Sequence, residues 1–175
     1  MRAERFPLHA MSPGSPTARL TAPSTRYIRE AMSERSERAV AGFVRCNCSQ
    51  AVLGAFGPEL GLGEADCLRV AACFGAGMAR LGKSCGALTG GYMVLGLRHA
   101  HEMATDPKGG RDAVYGKAQA LTARFEAAHG SSQCRELTGC DLTTPEGRAE
   151  FAERNLHHVL CDRLVKSVVE MLEEG

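Results

Sequence analysis

Cys48, Cys85, Cys134 and Cys161 are the residues of this chain best placed to do chemistry together. None belongs to a close C-x-x-C pair, so no local zinc or thioredoxin-type motif joins them, and any joint action depends on the fold. Asn47 followed by Gln50 has the spacing of a capping box, which predicts Cys48 in the first turn of a helix. Ser84 is placed to cap the apolar segment after it, with Cys85 in the first turn beside the small residues Gly86 and Ala87. Ser131 and Ser132 offer caps ahead of Cys134. At the positive end of a helix a thiolate is favoured over its thiol, so these three cysteines are expected below the free value of about 8.5. Thiolates serve two chemistries: nucleophilic attack in disulfide exchange, or soft ligation of zinc or an iron-sulfur cluster.

Cys161 differs, lying on the apolar face of the last expected helix with His157 at i−4 and His158 at i−3. An imidazole there is a candidate base, hydrogen-bond partner or substitute ligand. The plainer alternative is a small core cysteine with histidines on the helix rim. Cys46, Cys67, Cys73 and Cys140 read as single buried thiols, although Cys46 can compete with Cys48 for one ligand position. Gly86 and Gly90 share one helix face, a spacing that lets a neighbouring backbone or an inorganic sulfide approach Cys85 and that also serves ordinary close packing.

Other motifs are absent. Gly75-Ala76-Gly77 has Arg80 where a dinucleotide fingerprint needs its third glycine, and the segment reads as helical rather than as a turn after a strand. His99 and His101 point to different sides of a helix and read as surface residues, and no serine has the context of a hydrolase nucleophile.

The elements that must position the cysteines are helices. The chain has 175 residues, 44% of them hydrophobic, enough for one domain with one core. No segment alternates with a period of two, so the expectation is an all-α, single-domain bundle of about five to six helices. A helix opens at Ser33 with Val40, Phe43 and Val44 on one face, and a second carries Ala51 to Phe56. Glu64 to Met78 reads as a third, and Cys85 to about Met103 as a fourth that is apolar almost all round and belongs in the middle. Val114, Ala118, Leu121, Phe125 and Ala128 form a helical stripe that stops at Gly130. Pro145 opens the last helix, with Leu160, Cys161, Leu164, Val165 and Val168 on its buried face.

Residues 1–31 contain four of the seven prolines, with five arginines against Glu4 and Glu30 and no apolar periodicity. They read as a flexible leader, either a mis-called start upstream of Met32 or a segment loosely like a transit peptide. The domain proper is expected over 32–175. A net charge of +1 gives no reason to expect nucleic acid or an anionic membrane as partner. The longest charge-free stretch, Ser84 to Leu97, is shorter than the roughly 20 residues of a membrane span. Eight cysteines are too few for a disulfide-stapled secreted scaffold of this length, which points to a reducing, cytoplasmic setting.

The segments Asn47-Cys48-Ser49-Gln50-Ala51-Val52, Phe74-Gly75-Ala76-Gly77-Met78, Cys85-Gly86-Ala87-Leu88-Thr89-Gly90 and Cys134-Arg135-Glu136-Leu137-Thr138-Gly139, followed by Cys161, resemble the C_GCAxxG_C_C family of redox-active proteins. The resemblance runs from about Met32 to the C-terminus. It departs at Ala76, where a glycine is usual, and at Cys140, where family members have an apolar residue. It maps the family's four characteristic cysteines onto Cys48, Cys85, Cys134 and Cys161. A related domain precedes the haem portion of split-Soret cytochromes and is held to carry an iron-sulfur cluster. The resemblance therefore implies a metal centre on these four residues with Gly86 beside it, a two-iron cluster ahead of zinc, used for electron transfer or redox sensing. Without C-x-x-C-H, no covalent haem is expected. Two alternatives stay open: a metal-free thiol-disulfide protein with Cys85 as attacking thiolate, and a helical interaction module whose cysteines only pack. A redox partner protein is implied, and a homodimer is an open arrangement for completing the site.

Overall fold

The structure, a computed structural model, describes residues 33–175; the expected leader lies outside them. The described residues are all-α, with α1 Glu34–Phe43, α2 Cys48–Phe56, α3 Glu64–Val70, α4 Gly86–Arg98, α5 Ala100–Thr105, α6 Pro107–His129, α7 Cys134–Thr138, α8 Pro145–Glu153 and α9 Asp162–Glu173. Short 3₁₀ and π turns lie at Gly57–Leu60 and His157–Cys161. The helices outnumber the expected five to six because the fourth and the last expected helices are each split in two and the short piece Cys134–Thr138 is itself helical.

The apolar helix α4 is central, as its composition requires. Its neighbours press on it from two sides at adjacent glycines. A Cβ on Gly90 would stand 2.7 Å from Ser49 O and 2.9 Å from the Val52 Cβ of α2, and one on Gly91 would stand 2.9 Å from Leu121 of α6 and 3.0 Å from Val168 of α9. Without side chains at these positions α4 lies against both layers. Around it and its own buried Leu88 and Val94 pack Val52, Leu53, Phe56, Phe125, Val165, Val168 and Val169, all almost fully buried. Among the described residues no helix is long and apolar enough to cross a membrane.

Three interruptions correct the sequence reading. The third helix stops at Val70 rather than running to Met78. Its place is taken by a loop in which Ala76, Gly77, Met78, Ala79 and Arg80 all have positive φ, between 52° and 71°. The fourth helix ends at Arg98, with a break at His99 before α5; the His99 ring is half-buried and bonded to Glu102 at 2.6 Å, not a free surface histidine. The helix opened by Pro145 ends at Glu153, and Asn155, at φ 49°, turns the chain into the π segment that carries Cys161. Cys161 is therefore not in the middle of an α-helix.

The capping box is present as read. Asn47 Oδ1 accepts from the amides of Ser49 and Gln50 at 3.1 Å, and Gln50 Oε1 accepts from the Asn47 amide at 2.9 Å. The same residues pin α2 to the end of α3: Asn47 Nδ2 donates to Ala72 O, Gln50 Nε2 to Leu68 O, and the buried Ser49 hydroxyl lies 2.8 Å from Ala71 O. Thr89 of α4 donates to Phe74 O at 2.9 Å, holding the chain just ahead of the left-handed loop. An L-residue in that conformation costs about 1–2 kcal/mol, part of which glycine returns through its freer unfolded chain. Ala76→Gly is expected to raise the unfolding free energy by about 0.5–1 kcal/mol, read from the urea midpoint; an unchanged or lower midpoint would show that the loop carries no such strain.

Candidate metal centre

Three devices deliver four sulfurs to one cavity of about 320 Å³. The capping box sets Cys48 at the first position of α2. Cys85 and Cys134 are delivered as a pair. Ser84 and Gln133 form an isolated antiparallel bridge, the Cys85 amide donates to Ser132 O at 2.7 Å, and the Cys134 amide donates to Lys83 O at 2.8 Å. Cys161 comes from the π turn ahead of α9. All four line the cavity together with Gly86, and one chain supplies every one of them.

The serine caps expected ahead of Cys85 and Cys134 are not used. Cys85 is itself the cap residue of α4, Gln133 takes that position for α7, and neither end has a capping side chain. Ser84 instead stands opposite Gln133 in the bridge, whose hydrogen bonds are made by the flanking Lys83, Cys85, Ser132 and Cys134. Gly86 brings α4 close to the first site cysteine: a methyl there would collide with Cys48 Sγ and stand 2.9 Å from Gly75 Cα.

The expected lowering of the thiol pKa values is overturned. Backbone N–H groups do favour the thiolate, those of Ala76, Ser49 and Gly86 at Cys48 and those of Ala87 and Leu88 at Cys85. Desolvation outweighs them and raises Cys48. Burial first, and then the neighbouring cysteines, push Cys85 and Cys134 up to about 12 and raise Cys161. A helix end stabilises a nearby charge by about 0.3–1 kcal/mol, less than removing a thiolate from water costs. Cys48, Cys85 and Cys134 all lie close enough to Cys161 to raise its pKa.

Of the other cysteines, Cys46 also lines the cavity and is half-buried, its Sγ 3.3 Å from Gly42 O. Cys67 and Cys140 are buried outside it, as expected of packing thiols, whereas Cys73 is exposed. His157 lines the cavity with its ring stacked on Phe43, centroids 3.9 Å apart; burial and the neighbouring His158 lower its pKa. His158 points away and pairs with Asp162 at 3.2 Å. The sequence reading missed the Ser84–Gln133 bridge, the Ala76 amide and the lining side chains Phe43, Arg80, Arg148 and Phe151. Apart from the resemblance at Phe74 to Met78, no local pattern marked them.

The chemistry of the residues present suits a thiolate-bound metal centre. The donors are four soft thiols facing a common space, backbone amides already face one of them, and Gly86 keeps a side chain from displacing it. A bound cation reverses the cost that burial imposes, because a coordinating thiol loses its proton outright.

Fold and site together define a helical protein with a buried, cysteine-lined cavity. The family model described as "Putative redox-active protein (C_GCAxxG_C_C)" matches residues 46–175. The chain belongs to this family. Searches of the curated proteins and of the solved structures returned no match.

The raised thiols give the metal-free protein a defined alkaline weakness. Between about pH 9 and 12 these cysteines keep their protons when folded and lose them when unfolded, so stability falls as pH rises. Each contributes up to about 1.4 kcal/mol per pH unit. Urea midpoints of reduced, metal-free protein are expected to drop between pH 7 and pH 10, with about the same helical content at the two values in the absence of urea. A midpoint that holds or rises would mean that the folded thiols ionise as readily as free ones.

Proposed function

We propose that Cys48, Cys85, Cys134 and Cys161 hold an iron-sulfur cluster, and that the protein transfers electrons or senses redox state through it. The observation that carries this reading is the convergence of four thiols from four separate segments on one cavity. Membership of a family described as redox-active supports the same direction.

The spacing of the sulfurs favours a cluster over zinc. Around one tetrahedral zinc, with bonds of about 2.3 Å, neighbouring sulfurs lie about 3.8 Å apart. Among the described residues, the three-ligand set whose donor atoms lie within 4.8 Å of one another contains none of these cysteines. A cluster spreads its ligands over more than one metal atom and so tolerates a wider set. When bound, such a cluster supplies one-electron exchange without proton chemistry at the protein. The chain's own residues would bind it through the four thiolates, place the Ala76, Ser49 and Gly86 amides on the Cys48 sulfur, and keep water back with Phe43, Leu137, Leu142 and Leu164. Hydrogen bonds to ligand sulfur and a dry wall both set the potential of such a centre.

Disulfide exchange is less well supported. A Cys85 thiol pushed up to about 12 is almost entirely protonated at neutral pH.

Anaerobic treatment with iron and sulfide is expected to give a brown protein absorbing near about 400 nm. Serine at any one of the four positions should cut bound iron by about tenfold or more, whereas Cys73→Ser leaves it unchanged. A folded protein that stays colourless would end this reading. If it instead titrated reversibly with two electrons, and lost that in Cys85→Ser, the thiol-disulfide reading would replace it.

A further inference from the structure

We propose that His157, His158 and Asp162 form a second site, outside the four-sulfur set, for a single divalent first-row transition-metal ion. Their donor atoms all lie within 4.8 Å of one another, and this is the one three-ligand set so close among the described residues. With bonds of about 2.0–2.2 Å, donors on opposite sides of one ion stand about 4 Å apart, so small side-chain rotations close the set.

The backbone explains why these three meet. In a regular α-helix residues five apart stand about 140° from each other around the axis, which would put His157 and Asp162 on different sides. The π turn at His157–Cys161 changes this. The Asp162 amide donates to His157 O, an i to i−5 bond that brings the two residues nearly into line, with His158 beside them. The widened turn therefore creates a cluster that helical periodicity does not contain.

Each ligand is held in a way that suits binding. The stack on Phe43, with rings 12° from parallel, fixes the His157 plane, and the His158 ring stands T-shaped to it with centroids 4.9 Å apart. Hydrogen bonds to histidine ring nitrogens occur at His99, His129 and His158 among the described residues, so those of His157 are uncommitted. Asp162 lies 3.2 Å from His158 Nδ1, and the His158 side chain is 52% exposed, which opens a path from solvent. Only His157 of the three also lines the cysteine cavity. Two imidazoles and one carboxylate suit zinc, cobalt, nickel or ferrous ions, and they leave coordination positions for water.

Cobalt(II), added to the reduced full-length chain under anaerobic conditions, tests this before and after iron and sulfide treatment. The expected result is a cobalt ion with weak visible bands between about 500 and 650 nm and no thiolate charge-transfer band between about 300 and 400 nm. Its proton NMR spectrum should show two shifted imidazole N–H signals that vanish in D₂O. His158→Ala and Asp162→Asn should each weaken cobalt binding by about tenfold or more at unchanged helical content. Unchanged affinity in both variants, absence of the two N–H signals, or cobalt held only with thiolate bands would overturn the site. Failure of the cluster reading shows separately, as a chain that stays colourless after iron and sulfide.

Discussion

The structure depends on holding four thiols beside one buried cavity while each comes from a different part of a helical chain. A regular helix cannot do this alone, because its own hydrogen bonds occupy the backbone and its side chains radiate outward. Every irregularity that touches the cavity answers that constraint. The left-handed loop aims the Ala76 amide at Cys48, the short bridge ties Cys85 to Cys134, and the π turn delivers Cys161. The remaining helices pack on α4 in ordinary ways and keep these pieces in register.

The same arrangement sets the electrostatics. Amides at the start of α2 and α4 do favour the thiolates, as helix ends should, yet burial and crowding prevail and keep the thiols neutral. A cavity of this kind resists a lone negative charge but suits a cation that brings its own positive charge. Backbone strain gathers at the same place. Ala76, Met78, Ala79 and Arg80 adopt a conformation that L-residues avoid, next to the cavity rather than in a remote turn.

Much of this was legible beforehand, and the reasons are local. The capping box at Asn47 and the stripe from Val114 to Ala128 are signals completed within a few residues, and both appear as read. The central position of α4 follows from its lack of a polar face. The breaks at Val70, Arg98 and Asn155 were not legible, since the residues beyond the first two continue a helical pattern and no Pro or Gly marks the third. The caps assigned to Ser84, Ser131 and Ser132 failed because their neighbours spend their backbone groups on a bridge between segments distant in sequence.

What the sequence determined by itself was the helical class, the central helix, the cap at Cys48 and, through its resemblance to a family, which four of the eight cysteines to examine together. These rest on periodicity, on composition and on motif order, all properties of the linear chain. Only the tertiary structure decided that the four sulfurs share a cavity, that Cys46 and His157 join its wall, that the thiols are raised rather than lowered, and that His157 and Asp162 stand in line. Those outcomes depend on burial and on hydrogen bonds between distant segments, whose energies exceed the local preferences at the same residues.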